Sequence, residues 1–256
     1  MARPLLALGG IVLIGVGLAT AFGWGWGSDF ENSGTVSQAI RSVKLEGDSG
    51  SVKIRSGSGP STVHETVSYH WRSKPSGPFY RVDGDQLVLG ACGVNCSVDF
   101  DVVVPPGVPV TGNVDSGGLD IAGVSSVDVH ADSGHARVED VSGAVTLRLD
   151  SGSIDLRNVG AVQLHSDSGS ITGDKVRGPV DVTSSSGSVE FTLAQANDVK
   201  VNADSGSIEL TVPGGPYRVQ GDSDSGHREI DVPTDGSAQH LLDLTTESGS
   251  VTVRAA

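Results

Sequence analysis

One short motif in the sequence imitates a catalytic nucleophile. Gly47-Asp48-Ser49-Gly50 resembles the surroundings of the reactive serine in chymotrypsin-like proteases, where a histidine and an aspartate activate the hydroxyl. In those proteases the histidine and the aspartate precede the serine, whereas this chain has no histidine before Ser49. The same Asp-Ser-Gly tripeptide recurs along the chain. The motif therefore predicts a turn and not a nucleophile, and no catalytic residue is predicted.

The aspartates of the repeated tripeptide are a better candidate for chemistry. If neighbouring repeats stack, Asp132, Asp150 and Asp167 form a ladder of carboxylates ~5 Å apart, which repel one another by roughly 1 kcal/mol in bulk water. A calcium ion between repeats would relieve this repulsion, because Ca²⁺ binds carboxylate oxygens. The alternative is that each carboxylate accepts backbone N–H bonds in its own turn, with Ser185 interrupting the ladder. The three aspartates are weak calcium candidates, and no cofactor is predicted.

Outward-facing residues align in two further columns when the repeats are superposed. His130 and His165 would lie two repeats apart, ~9.6 Å at ordinary strand spacing, with Arg148 between them. That separation is too large for one zinc ion with ligands at ~2.1 Å. The columns therefore predict a solvated face or a flat polar recognition surface. Their members are His130, Arg148, His165, Thr183 and Asn202, and Asp155, Thr172, Glu190 and Glu209.

The two cysteines of the chain, Cys92 and Cys96, are separated by a short glycine-containing loop. In an extracytoplasmic protein an oxidised pair is the natural state, and a tight turn can bring the Cα atoms within the ~4.4–6.8 Å that a bridge requires. The sequence predicts a local disulfide, with unpaired thiols and a metal site as the alternatives.

These groups must be positioned by a repeat that dominates the chain. Asp-Ser-Gly or a close variant recurs with a glycine step of 17 to 23 residues after Gly117, flanked on both sides by alternating apolar residues. Alternation with period two indicates strands with one buried face. The turn glycines are expected to have a positive φ, with Asp or Ser side chains bonding nearby N–H groups. These glycines are Gly50, Gly117, Gly134, Gly152, Gly169, Gly187, Gly206, Gly226 and Gly249.

Two short strands per ~18 residues cannot bury a face alone, whereas stacked coils give a continuous aliphatic core. The sequence thus predicts an all-β protein, a single-stack β-solenoid over residues 40–256, with an antiparallel sandwich as the alternative. Between residues 60 and 106 the repeat lapses into longer strands that could cap the solenoid. Residues 28–39 are expected to be a linker.

The N-terminal residues are predicted to form a membrane segment. The 23 residues from Leu5 to Gly27 carry no charge, enough for a helix to cross a bilayer. Arg3 precedes this segment while Asp29 and Glu31 follow it, which places the remainder of the chain outside the cytoplasm. Residues 1–27 are therefore predicted to be a single transmembrane anchor, with a cleaved signal peptide as the alternative. The localisation that follows is the bacterial cell membrane, with an extracytoplasmic C-terminal domain.

The repeat resembles the bacterial putative-adhesin family, a domain of unknown function with Asp-Ser-Gly-Ser-Ile-x-Leu strand repeats. The matching stretches are DSGSVKI at 48–54, DSGSIDL at 150–156, DSGSIT at 167–172 and DSGSIEL at 204–210. The segment CSVDFDVVVPPGVPV at 96–110 is also similar to the strand and Pro-Gly turn that precede the repeats in that family. The resemblance implies an envelope-associated protein with an N-terminal membrane segment, and it brings no functional residues.

The net charge of −14 and pI near 4.7 argue against binding to nucleic acid, whose phosphates the acidic surface would repel. The sequence predicts an adhesin-like envelope protein with a structural or binding role and no catalysis. Its expected partners are the membrane, through the N-terminal helix, and a cell-wall polymer or envelope protein. The alternative is a glycan-active lyase or hydrolase built on a β-helix, which would require loops that wall a cleft.

Overall fold

The computed structural model describes residues 14–15, 28–70 and 74–256, and the regular secondary structure of these residues is entirely β. No helix in these ranges is long and apolar enough to cross a membrane. The predicted anchor at residues 1–27 lies outside the described residues, apart from the short strand at 14–15. The strands are β1 (Ile14–Gly15), β2 (Ser28–Val36), β3 (Ser42–Ser49), β4 (Val52–Ser56), β5 (Ser61–Tyr69), β6 (Tyr80–Asp83), β7 (Gln86–Gly90), β8 (Cys96–Val104), β9 (Val110–Ala122), β10 (Val127–Glu139), β11 (Val145–Arg157), β12 (Val162–Ser168), β13 (Ile171–Val176), β14 (Val180–Ser186), β15 (Val189–Leu193), β16 (Val199–Ser205), β17 (Ile208–Val212), β18 (Arg218–Gln220), β19 (Ser223–Ser225), β20 (Arg228–Asp231), β21 (Leu241–Ser248) and β22 (Val251–Ala255).

Each coil contributes two strand segments that meet at the Asp-Ser-Gly corner. In β10 the segment before the corner buries Val127, Val129 and Ala131, and the segment after it buries Ala136 and Val138. The alternation follows from the period-two geometry of strands, in which successive side chains point to opposite faces. Neighbouring coils pair in parallel with equivalent residues in register, as the solenoid prediction requires.

The coils build two sheet faces that share the corner. The first face runs β6-β7-β3-β9-β10-β11-β12-β14-β16-β21, and β18 and β19 pair with its last strand. The second face runs β1-β2-β5-β8-β4-β9-β10-β11-β13-β15-β17-β22-β20. The strands β9, β10 and β11 run through the corner and belong to both faces.

A return segment closes each coil behind the two strands. It begins at residues with a left-handed backbone, Asp140, Asn158 and Lys175, whose φ values are 55°, 52° and 55°. The N–H of Asp140 bonds to the carbonyl of Arg157, and that of Asn158 bonds to the carbonyl of Asp174. Coil-to-coil hydrogen bonds therefore continue through the return, so the backbone there is satisfied as it is in the strands.

Both ends of the stack depart from simple sequence order. At the C-terminal end β21 pairs with both β16 and β18, while β22 pairs with both β17 and β20. The last coil in the sequence, β21 and β22, therefore lies between two coils that precede it in the chain, and the coil with β18 and β20 is outermost. At the other end β3 lies between β7 and β9, so a later segment again forms the outer layer. Sequence periodicity gives each coil its shape but not its place in the stack.

The irregular segment forms an antiparallel cap, as the lapse in the repeat suggested. The strand β5 pairs antiparallel with both β2 and β8, and β8 continues into the parallel stack through β4. The prediction of a linker at residues 28–39 is wrong, because β2 occupies most of it. Phe30 and Val36 of β2 are buried against the core, which a flexible linker would not allow.

Candidate binding surface

The corner of the solenoid presents an unbroken row of outward residues. The serine of each Asp-Ser-Gly turn is in register with that of the next coil, beginning with Ser49 and Ser116 and ending with Ser248 and Ser225. The acidic residue before each serine is exposed. We call this row the acidic rail. It consists, in spatial order, of Asp48, Asp115, Asp132, Asp150, Asp167, Asp204, Glu247 and Asp224, with Ser185 as a gap before Asp204.

The glycine of the turn is required for two reasons at once. Gly152 has a φ of +134°, a region that L side chains rarely adopt. A Cβ added there would also overlap the carbonyl oxygen of Gly134 in the neighbouring coil. The corner therefore needs glycine for its own backbone and for the approach of the next coil. A positive φ is present at Gly50, Gly117, Gly134, Gly152, Gly169, Gly187, Gly206 and Gly249.

Gly226 differs from the other predicted turn glycines. Its φ is outside the positive region, although an added Cβ would still overlap the carbonyl oxygen of Gly249. The coil that contains Gly226 is outermost in the stack, since β20 pairs with β22. No further described coil holds this corner in register, so the prediction of positive φ is wrong at this glycine.

The rail carboxylates do not bond to their own turns. In residues 28–70 and 74–256, the carboxylates that accept backbone N–H bonds lie elsewhere, for example Asp99 from Ser51 and Asp198 from Leu241. The expected side-chain bonding within the turn is thus wrong for the rail aspartates. Their carboxylates point outward into solvent because the turn satisfies its N–H groups coil to coil, as Gly169 does with Ser186.

Two histidines are the basic side chains that the structure places beside the rail. His130 Nε2 lies 3.6 Å from Asp132 Oδ1 and 3.7 Å from Asp150 Oδ1. His165 Nε2 lies 3.3 Å from Asp167 Oδ1. The three calcium candidates are therefore divided between two histidines. In the described part of the chain no lysine or arginine forms an ion pair with a rail carboxylate, whereas both do so elsewhere.

The predicted columns of polar residues are present in register. His130 pairs with Arg148, which pairs with His165, and the column continues through Thr183 to Asn202. On the second face Asp155 is followed by Thr172, Glu190 and Glu209. These side chains are fixed on a hydrogen-bonded sheet, so the outer faces form a regular polar surface.

A shallow groove of about 470 Å³ runs along the start of the first-face strands. Small residues, including Ala144, Ala161 and Pro179, line it together with polar side chains such as Asp181 and Lys200. It crosses several coils, since its lining residues come from β11, β12, β14, β16 and β21 and the segments before them. The groove thus offers an open contact surface that extends over several coils.

Several sequence candidates have structural roles. Cys92 and Cys96 form a disulfide with a Cα–Cα distance of 5.7 Å, which links the loop before β8 to the first residue of that strand. The Ser49 hydroxyl of the protease-like motif donates a hydrogen bond of 3.2 Å to the carbonyl of Cys96. This hydrogen bond connects the Ser49 corner to the cysteine that begins β8.

Two polar residues at the ends of the stack were missed as structural groups by the sequence reasoning. Glu65 in the cap is fully buried, and its carboxylate accepts bonds from Asn32 Nδ2 at 2.7 Å and from the Phe79 N–H at 3.0 Å. Arg228 occupies an otherwise apolar position and donates to the carbonyls of Leu244 and Gln220. Glu65 lies where the repeat lapses and Arg228 lies in the outermost coil, so no periodic signal could identify their partners.

Comparison with known proteins places the repeats in a described family. The sequence model of the Toastrack DUF4097 family matches residues 101–254. No match was found among curated proteins. Solved structures similar to the chain include a putative adhesin from Bacteroides fragilis, 11% identical with a TM-score of 0.44, covering 89% of this chain and 97% of that one. A putative adhesin from Parabacteroides merdae has 11% identity and a TM-score of 0.41, covering 89% and 96%. A putative cell adhesion protein from Clostridium sporogenes has 12% identity and a TM-score of 0.24, covering 89% and 100%.

Proposed function

Because this chain belongs to the Toastrack DUF4097 family, we propose that it is an adhesin-like binding module of the bacterial cell envelope, without catalytic activity. In this proposal the N-terminal segment tethers the chain to the membrane. The solenoid then presents its acidic rail to a positively charged partner, a cell-wall polymer or an envelope protein. The observation that carries the proposal is the row of exposed carboxylates that no lysine or arginine of the described residues neutralises.

The electrostatics of the rail favour a cationic partner. Nine stacked positions at a strand spacing of ~4.8 Å extend over about 38 Å. Neighbouring carboxylates repel by roughly 1 kcal/mol per pair in water, a cost that remains in the free protein. A partner with spaced positive charges would relieve this repulsion along the whole row and would be attracted to it before contact.

Rigidity supports binding by the same surface. The rail is carried on coils whose inward residues Val145, Ile154 and Val162 are at most 3% exposed. Because adjacent coils are hydrogen-bonded on both faces, the spacing of the carboxylates is fixed before a partner arrives. A preformed array loses little conformational entropy on binding, which favours affinity.

The tether and the location are supported by the sequence. The uncharged segment of residues 5–27 precedes the solenoid and is long enough to cross a bilayer. An oxidised Cys92–Cys96 pair also suits a compartment outside the cytoplasm. Both features favour an extracytoplasmic position for the rail.

The proposal is tested by retention of the full chain, in detergent, on isolated bacterial cell envelopes. The rail variant carries Asp48→Asn, Asp115→Asn, Asp167→Asn and Asp204→Asn. The matched control removes the same number of charges from the second face, with Glu139→Gln, Glu190→Gln, Glu209→Gln and Glu229→Gln. We expect the wild type and the control to be retained, the rail variant to be lost, and retention to weaken at high salt.

The same assay separates the classes of partner. If the chain is still retained after the envelopes are treated with protease, the partner is a wall polymer. If the protease treatment abolishes retention, the partner is a protein. Equal retention of the rail variant and the control would contradict the proposal. Release of soluble sugar fragments by the wild type would instead support the glycan-active enzyme.

A further inference from the structure

We propose that His130, Asp132 and Asp150 form a binding site for a divalent transition-metal ion of the zinc class. The three side chains offer one imidazole nitrogen and two carboxylate oxygens that all lie within 4.8 Å of one another. The histidine nitrogen lies 3.6 Å from one oxygen and 3.7 Å from the other. The site shares Asp132 and Asp150 with the acidic rail, but metal binding by the purified chain can be measured without the partner proposed above.

The distances between the ligand atoms suit a metal ion with tetrahedral coordination. Ligands at ~2.1 Å from a tetrahedral zinc ion are about 3.4 Å apart, close to the two distances from His130 Nε2. Both aspartate side chains are exposed, so the surrounding protein does not hold them and they are free to rotate toward a bound ion. Three protein ligands leave a fourth position for water, an arrangement that zinc accepts.

The backbone holds the three ligands on one surface. His130 and Asp132 are two residues apart in β10, so their side chains leave the same face of the strand. Asp150 belongs to β11, where Ala131 pairs with Leu149 and Ser133 pairs with Ser151. Asp150 is therefore beside Asp132 at the spacing of adjacent strands, and the site spans two coils.

The choice of ion follows from the ligand types. Imidazole suits zinc and its neighbours in the first transition row, whereas calcium prefers oxygen ligands alone and in larger number. Arg148 is the register neighbour of His130, and its positive charge opposes any bound dication. Replacing Arg148 with a neutral residue should therefore strengthen binding.

The stack contains its own control for this site two coils away. His165 lies 3.3 Å from Asp167 in the same relation as His130 to Asp132. In the following coil Thr183 is the register partner of His165, and Ser185, two residues later, stands at the position that corresponds to Asp150. The second histidine thus has one carboxylate where the first has two. The proposal assigns binding to the first and not to the second.

The test is isothermal titration of the full chain, in detergent, with zinc chloride and with calcium chloride. We expect one zinc ion per chain and no competition from calcium. His130→Ala and Asp150→Asn should each weaken zinc binding about tenfold or more, because even the loss of an outer-shell partner of a metal ligand costs about 10–100-fold in affinity. His165→Ala is the matched control and should leave the affinity unchanged.

A gain-of-function variant makes the test sharper. Ser185→Asp supplies His165 with the missing second carboxylate, so the stoichiometry should rise from one zinc ion to two. The substituted side chains are exposed, and circular dichroism should show unchanged folding in every variant. Absence of zinc binding by the wild type, or equal weakening by His130→Ala and His165→Ala, would overturn the proposal.

Discussion

The regular stack and the N-terminal cap bury their interiors in different ways. The stack, residues 110–212, repeats one coil, and its interior is mainly aliphatic, with one buried aromatic residue, Phe191, and small polar side chains such as Ser166 and Ser184. The cap, formed by β2, β5, β6 and the loops around them, contains aromatic residues, a buried carboxylate and a disulfide. The two regions nevertheless share hydrogen-bonded strands through β8 and β4.

The difference shows how a repeat protein divides its stability. In the stack every coil makes the same contacts with its neighbours, so stability is a sum of similar interfaces. In the cap each polar contact occurs once and depends on its own partners. Substitutions in the stack should therefore lower the free energy of unfolding by disturbing the packing of neighbouring backbones. Substitutions in the cap should lower it by leaving polar groups unpaired.

The largest expected effect is at the glycine corner of the stack. Gly152→Ala combines a positive φ of +134° with overlap of the neighbouring coil. We expect the free energy of unfolding to fall by about 3 kcal/mol or more, measured by urea denaturation. Gly59→Ala is the control, because Gly59 has a φ of +115° but no atom within 4 Å of an added Cβ. That variant should lose only about 1 kcal/mol. If both variants lost the same free energy of unfolding, the positive φ alone would account for the destabilisation.

The second expected effect is at the buried carboxylate of the cap. Glu65→Ala leaves Asn32 Nδ2 and the Phe79 N–H without their acceptor. A buried donor left unpaired costs roughly 1–3 kcal/mol, and both donors here are only partly buried, so the loss should be about 2–4 kcal/mol in the same denaturation experiment. Glu31→Ala, on the exposed side of β2, is the matched control and should be nearly neutral. A neutral Glu65→Ala would show that the cap does not depend on this contact.

A smaller loss is expected when the disulfide is removed. Cys92→Ser with Cys96→Ser opens a short loop, and loop-closure entropy predicts about 2 kcal/mol. Hydrogen exchange should show faster exchange in β8 and the loop before it, with β12 to β16 unchanged. A reducing agent should reproduce the effect in the wild type and leave the variant unaltered. Faster exchange throughout the stack would contradict the separation of the two regions.

The smallest expected effect is alkaline sensitivity of the two ends. Burial raises the pKa of Tyr80, with a further contribution from the Glu65 carboxylate, and burial alone raises the pKa of Tyr217. A folded-state pKa above the unfolded value means stability is present below about pH 10 and is lost as pH rises further. Ultraviolet titration of Glu65→Gln should lower the pKa of Tyr80 and leave that of Tyr217 unchanged. If the pKa of Tyr80 is the same in Glu65→Gln as in the wild type, the Glu65 carboxylate does not contribute to raising it.

The sequence predicted the stack closely but the cap only in outline. Buried pairs such as Val145 and Leu147 were identifiable because strand geometry forces a two-residue period on any half-buried strand. The same logic aligned His130 with Arg148. It failed for residues 28–39, which contain no repeat and yet form a strand, because pairing with β5 is a long-range contact.

The candidate site was predicted in the same partial way. Asp132 and Asp150 were identified as neighbours from the period of the turns. Their grouping with His130 was not expected, because side-chain directions across two coils decide which atoms meet. Sequence spacing alone suggested a ladder of carboxylates that included Asp167. In the structure the Asp167 carboxylate instead contacts the imidazole of His165.

By itself the sequence determined the coil: its length, its glycine corner, the two alternating strands and the acidic residue at each turn. These features are local, since each follows from the backbone geometry of a few consecutive residues. Only the tertiary structure decided the order of coils at the two ends, the burial of Glu65 and the partners of each rail aspartate. Those depend on contacts between residues far apart in the chain, for which identical repeats offer many equivalent pairings and the packed structure selects one.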